Sequence, residues 1–139
     1  MRWTNGDYEL DDDRNRLNMD RIAGWLAESY WAKTTPEAAV RRSWDAAGIT
    51  LGLYRGSELV GCARAVTDFT RFAYLGDVFI LPEHRGHGLG QWLVQTMIEH
   101  PSVDNARWVL HTRDAHGLYR QFGFELADEM VMQRPKPNP

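Results

Sequence analysis

The chain has 139 residues, a formal charge of −3 and 43% hydrophobic residues, which suits one compact domain with a real apolar core and excludes a broad basic face for nucleic acid. Its single cysteine, Cys62, excludes an intrachain disulfide and fits a reducing, cytoplasmic setting. No apolar run approaches the ~20 residues of a membrane helix, and Met1 to Gly6 lacks the apolar stretch of a signal peptide, so no membrane association is expected.

Tyr8 and Leu10 alternate as in a short edge strand before a turn at Asp11-Asp12-Asp13. From residue 19 to 29 the period becomes helical, with Ile22, Trp25, Leu26 and Ser29 on one face and Asn18 as the amino-terminal cap. A second helix is bounded by Thr35 as cap, Pro36 at the first helical position and Gly48 at the stop, and it presents Val40 and Trp44 together.

After Gly48 the period shifts to that of strands. Ile49 to Tyr54, Glu58 to Thr67 and Arg71 to Leu81 are joined by short turn segments, which predicts an antiparallel meander. The third strand runs through Pro82 and a glycine cluster into a helix with Leu89, Trp92, Leu93 and Met97 on one face, ended by Pro101. Trp108 to His111 reads as a strand, Ala115 to Gln121 as a helix, Phe124 to Arg134 as one or two closing strands, and Pro135 to Pro139 as a disordered tail. A strand, long helix and strand in succession predict one parallel neighbour pair in an otherwise antiparallel sheet, so the fold class is mixed α/β in a single domain.

Gly86, Gly88 and Gly90 fall between a strand and a helix, where glycine lets backbone N–H groups converge and a bulky anion approach. The helix start adds unsatisfied donors and Arg85 a forked cation, so the loop reads either as a pyrophosphate cradle or as a tight turn. Gln91-Trp92 follow the last glycine where a nucleotide-triphosphate loop needs Lys and then Ser or Thr. A dinucleotide fold needs an early βαβ unit, and this loop comes after a meander.

The run Asp77-Val78-Phe79-Ile80-Leu81-Pro82-Glu83-His84-Arg85-Gly86-His87-Gly88-Leu89-Gly90 resembles the signature of the GNAT superfamily of acyl-CoA-dependent N-acyltransferases: Arg or Gln, two residues, Gly, one residue, Gly or Ala. Leu118-Tyr119-Arg120-Gln121-Phe122-Gly123-Phe124 is similar to that family's tyrosine-plus-Gly-Phe segment. The resemblance implies one GNAT-like domain over residues 1–134, with a sheet that splays at its parallel strand pair. It implies acetyl-CoA as cosubstrate, held by Val78, Phe79 and Ile80 and by the loop Arg85, Gly86, His87, Gly88, Leu89, Gly90 and Gln91.

Transfer to an amine by direct attack in a ternary complex would follow, with Tyr119 beside the departing sulfur as general acid. Asp77 and His111 each stand where a general base could take the acceptor's proton, and neither is fixed by a motif. His84 and His87 fit the frame of the phosphate loop. The family often has Asn shortly before the tyrosine, where this chain has Thr112-Arg113-Asp114, so Asp114 could touch the coenzyme or the substrate ammonium. The connection between the first two helices usually walls the acceptor site, which makes Glu28, Tyr30 and Trp31 candidate contacts for a small-molecule or peptide amine through charge and cation–π attraction.

No His, Cys and carboxylate spacing suggests a metal site, and Cys62 between small strand residues reads as structural, not nucleophilic. Exposed sheet edges leave room for a homodimer. The alternative to an enzyme is a coenzyme A-binding sensor or interaction module that keeps the loop without turnover.

Overall fold

A computed structural model describes residues 1–135 and arranges them around one six-stranded mixed sheet. In chain order the elements are β1 Arg2–Asn5, β2 Tyr8–Asp11, α1 Met19–Ala27, α2 Glu37–Asp45, β3 Ile49–Arg55, β4 Glu58–Thr67, β5 Phe72–Ile80, α3 Leu89–Ile98, β6 Arg107–Leu110 and α4 His116–Arg120. The strands lie side by side in sequence order, antiparallel from β1 to β5, and β6 joins β5 in parallel. The α3 crossover makes that parallel pair, as the strand, helix and strand succession requires.

Both faces of the sheet are covered. Ile49, Leu51 and Leu53 of β3 pack against Leu93, Val94 and Met97 of α3 on one face. On the other, Tyr54, Leu59 and Cys62 meet Ile22 and Leu26 of α1 and Val40 and Trp44 of α2. The two-residue alternation of a strand distributes β3 between these layers, which is why nearly all of it is buried. α1 begins where expected, with the Asn18 side chain accepting from Arg21 N at 3.2 Å. At α2 the cap position is taken by Pro36 instead of Thr35, with no side-chain cap.

The edge strand expected at Tyr8 and Leu10 forms as β2, and it has a partner that sequence reading did not assign: β1 and β2 make a hairpin through Gly6-Asp7, with Gly6 at φ +59°. Asn5-Gly6 carries the dipeptide signal for such a turn. The closing strands expected over Phe124 to Arg134 do not form. Gly123 at φ +85° and the bond from Phe124 N to Tyr119 O turn the chain out of α4, and Asp128 then gathers Met130 N and Val131 N into a turn. Leu126, Met130 and Met132 are left 73%, 81% and 94% exposed, so their apolar alternation has no sheet face to meet. Of the expected tail, residues 136–139 lie outside the described residues.

The Tyr54 ring leans back over Gly52, where a Cβ would come within 2.7 Å of ring carbon Cε2, and its buried hydroxyl has no hydrogen-bond partner among the described residues. Burial pushes its pKa from 10.0 up to about 12. Gly52→Ala should therefore cost ~1–3 kcal/mol of stability in denaturant unfolding by overpacking. Tyr54→Phe should cost nothing measurable at neutral pH, because no bond is lost. The wild-type stabilisation from the neutral phenol is complete below pH 10 and is lost as pH rises toward 12, so the same variant should flatten the alkaline loss.

Candidate functional site

The cleft begins where the parallel pair ends. β5 and β6 are registered from Phe72 opposite Arg107 to Leu75 opposite Leu110, and among the described residues no strand lies beside that edge of β5 beyond Leu75. On its other edge β5 slips against β4: Arg64 faces Gly76 and Cys62 faces Phe79, so two residues, Asp77 and Val78, oppose Ala63 alone. This is a β-bulge, which bends a strand and re-aims its residues. Asp77 takes φ +53° within it, a left-handed conformation uncommon for a residue with a side chain.

The Asp77 carboxylate accepts from Trp31 Nε1 at 2.8 Å, from Trp44 Nε1 at 3.1 Å and from Arg64 Nε at 2.6 Å. Those donors come from the α1–α2 connection, α2 and β4. Cys62 Sγ–H reaches the Asp77 carbonyl at 3.5 Å, and burial pushes this thiol well above its ordinary pKa, which leaves it inert. The three donors hold the bulge in its strained turn.

Two cavities meet beside the bulge. One, about 990 Å³, runs along Phe79 and Ile80 to Gly86, Gly88 and Gln91. The other, about 560 Å³, lies over Arg64, Tyr74, Gly76 and Asp77 and is flanked by His111 and Tyr119. Tyr30, Trp31, Val78 and Asp114 line both, so they form the junction.

In the first cavity the donors are backbone. Gly86 and Gly88 take φ +85° and +73°, and among the described residues no backbone N–H from Gly86 to Gln91 has a backbone carbonyl partner. α3 starts without a side-chain cap, so its orphan donors and positive dipole end face an anion-sized space. Gly90 has no positive φ, and a Cβ there would meet nothing closer than Ile80 Cδ1 at 3.8 Å. Arg85 donates through Nε to Ile80 O at 2.8 Å, which pins its stem to the end of β5.

The remaining candidates divide. Glu28 lines the first cavity, where Trp25 stacks on Phe79 with ring centroids 4.9 Å apart. Leu89 is buried under the loop while bordering the same space. The His84 and His87 side chains instead line a hollow with Tyr8 and Arg55, where His84 Nδ1 lies 2.8 Å from the Tyr8 hydroxyl; His87 belongs to the loop through its backbone. His111 Nδ1 lies 2.9 Å from the Tyr74 hydroxyl. The Tyr119 hydroxyl has no hydrogen-bond partner among the described residues, and burial, with smaller effects of Tyr30 and Asp114, raises its pKa to about 12.

Sequence reading missed Trp44, Arg64 and Tyr74 as parts of the site. Arg64 did leave a signal, being a lone charge within Leu59-Val60-Gly61-Cys62-Ala63-Arg64-Ala65-Val66. Among the described residues no group of His, Cys, Asp and Glu is arranged to hold a metal, and no helix is long and apolar enough to cross a membrane.

Known proteins resemble this chain in both sequence and fold. The family model described as Acetyltransferase (GNAT) family matches residues 16–124. A Gibberella zeae protein classed with acetyltransferases is 38% identical, the match covering 70% of this chain and 66% of that relative, so the chain spans just under two thirds of its length. A crystallised GNAT-family protein from Xanthomonas campestris is 36% identical, with a TM-score of 0.88 and 94% of each chain covered. A Staphylococcus aureus protein shares the fold at a TM-score of 0.75 with 17% identity, covering 93% of this chain and 98% of its own.

Asn tolerates positive φ better than most residues, so Asp77→Asn isolates the loss of acceptors from backbone strain. An amide nitrogen placed among N–H donors leaves at least one of them unpaired. Denaturant unfolding should show a loss of ~2–3 kcal/mol, with a shift in the tryptophan emission that Trp31 and Trp44 contribute.

Proposed function

This chain belongs to the GNAT family of acetyltransferases, and from that premise we propose that it moves an acetyl group from acetyl-CoA to a primary amine by direct attack in a ternary complex. What carries this reading is the junction: a backbone-lined anion cradle and a cavity bearing His111 and Tyr119 open onto one another at the unpaired edge of β5.

The pyrophosphate of acetyl-CoA lies on the free N–H groups from Gly86 to Gln91, with Arg85 beside it. The pantetheine arm follows Val78, Phe79 and Ile80 like an added strand, because the split leaves that side without a paired strand among the described residues. A β5 N–H near Phe79 points at the thioester oxygen and stabilises the oxyanion, a contact of the kind worth ~3–4 kcal/mol.

The acceptor enters through the second cavity, with Tyr30, Trp31 and Asp114 around its amine at the junction and Glu28 just beyond. His111 takes the ammonium proton through Nε2, which requires that its Nδ1–H donate to the Tyr74 oxygen. Asp77 is the other candidate for this step; its three donors suit it better to holding the bulge. The amine nitrogen then forms its bond to the thioester carbon, the carbon–sulfur bond breaks, and the sulfur leaves beside Tyr119 and takes up the second proton that the acylated nitrogen sheds. With a pKa of about 12, well above the ~8.5 of an ordinary thiol, Tyr119 stabilises the thiolate by hydrogen bonding and keeps most of its proton. The buried Cys62 thiol suits a reducing, cytoplasmic setting.

Thiol release from acetyl-CoA across a panel of amines, amino acids and peptides tests the activity. Tyr119→Phe should lower kcat on the order of 10²-fold with coenzyme affinity nearly intact. Because its pKa is raised, wild-type kcat should show no loss from Tyr119 deprotonation below pH 10. Calorimetry should find that Gly88→Val abolishes coenzyme binding without unfolding, whereas Gly90→Ala is tolerated. Tight acetyl-CoA binding with no thiol release on any amine would favour the sensor.

A further inference from the structure

The acceptor-side cavity contains a cation that the transfer step does not use. Arg64 sits in β4 between Ala63 and Ala65, both fully buried, and its own side chain is only 17% exposed. Its Nε is committed to Asp77, yet neither terminal nitrogen has a hydrogen-bond partner among the described residues. A guanidinium carries five donors in a planar fork, so most of this one faces the cavity unclaimed.

The space in front of it is kept by a missing side chain. Gly76 lies opposite Arg64 across the β4–β5 ladder and lines the same cavity. A Cβ at Gly76 would come 3.5 Å from Arg64 Nη2 and 3.6 Å from Cζ, covering part of the fork. Gly76 does not have a positive φ, so its backbone does not demand glycine.

We propose that Arg64 is the anchor for a carboxylate on the acceptor, so that the substrate class is a free amino acid whose amine is acetylated. This inference rests on the acyl-transfer reading above. The cavity's polarity favours it: Arg64 lines the acceptor side only, and Asp114 stands at the junction with the donor side. Asp77, the other carboxylate beside Arg64, is already met by two indole N–H groups as well as by Arg64 Nε. Tyr74, His111, Ser43 and Thr112 add further polar groups to the lining. A simple polyamine would bring a second cation toward Arg64. An amino acid places its ammonium toward Asp114 and its carboxylate on the fork, the geometry guanidinium groups bind best.

Thiol release should be measured with amino acids, each paired with its carboxamide and its decarboxylated amine. The acids should be preferred in kcat/KM on the order of 10²-fold, because a charge-assisted pair is lost with the other two forms. Gly76→Ala should raise KM for the acids at least ~10-fold while KM for acetyl-CoA and the melting temperature stay put. Arg64→Lys, which keeps the charge and loses the fork, should erode the preference without reversing it. Equal turnover of acids, amides and amines, or an unaltered acid KM in Gly76→Ala, would overturn the carboxylate anchor and leave acyl transfer standing. Should no amine of any kind release thiol, the acyl-transfer reading fails, and calorimetry with N-acetyl amino acids against their amides decides the anchor alone: selectivity for the acids supports it, and no selectivity ends it.

Discussion

Everything at the site depends on a carboxylate placed where the backbone does not want to go. Asp77 sits at φ +53° in a bulge, a conformation that costs on the order of 1 kcal/mol or more and survives only when the surroundings over-determine it. Here the surroundings are three N–H donors from Trp31, Trp44 and Arg64. Because Trp44 is nearly wholly buried and belongs to α2, the packing of the helical layer on the sheet also fixes the bulge. The same bonds bring the α1–α2 connection over the cleft, where Tyr30 accepts from Arg113 N and carries the Arg113 guanidinium 3.9 Å above its ring.

The bulge and the strand split act together. A parallel neighbour along the whole of β5 would consume the backbone groups from Gly76 to Ile80. Pairing that stops at Leu75 leaves that edge without a strand beside it among the described residues, and Val78 and Phe79, just past the bulge, line the cavity there. α3 then begins at Gly88 without a side-chain cap, so a second set of backbone donors opens onto the same cavity. The first cavity is thus built of main chain and the second of side chains, including Arg64, Tyr74, His111 and Tyr119.

This division explains what was legible in the sequence. The meander, the crossover and α3 could be read because strands covered on both faces leave short, nearly continuous apolar runs between turn residues, as in β3 and β4, while a helix leaves a period near four, as at Leu89, Leu93 and Met97. The glycine loop could be read because Gly86 and Gly88 need positive φ, a demand that leaves a compositional mark. The bulge left none. Asp77 looks like any polar residue at a strand end, and its partners lie 46, 33 and 13 residues away, so only tertiary structure brings them together. Phe124 to Arg134 misled in the opposite way, since alternation there satisfies the local pattern of a strand without supplying a neighbour to pair with.

Arg64 joins the two halves of the argument. As a lone cation in a buried strand it would be costly without a partner, and Asp77 supplies one at the bulge. One nitrogen of a guanidinium suffices for that bond, whereas a lysine ammonium in the same place would centre its charge on a single point. Arg therefore allows a residue to stabilise the strained backbone on one side and to keep donors facing an open cavity on the other. Gly76 makes the second role sterically available, because it leaves the fork uncovered at a position whose backbone would accept alanine. In the proposed reading, one side chain both braces the bulge of the donor strand and offers the charge that receives the acceptor, so the two substrates would share a physical foundation although they would enter through different cavities.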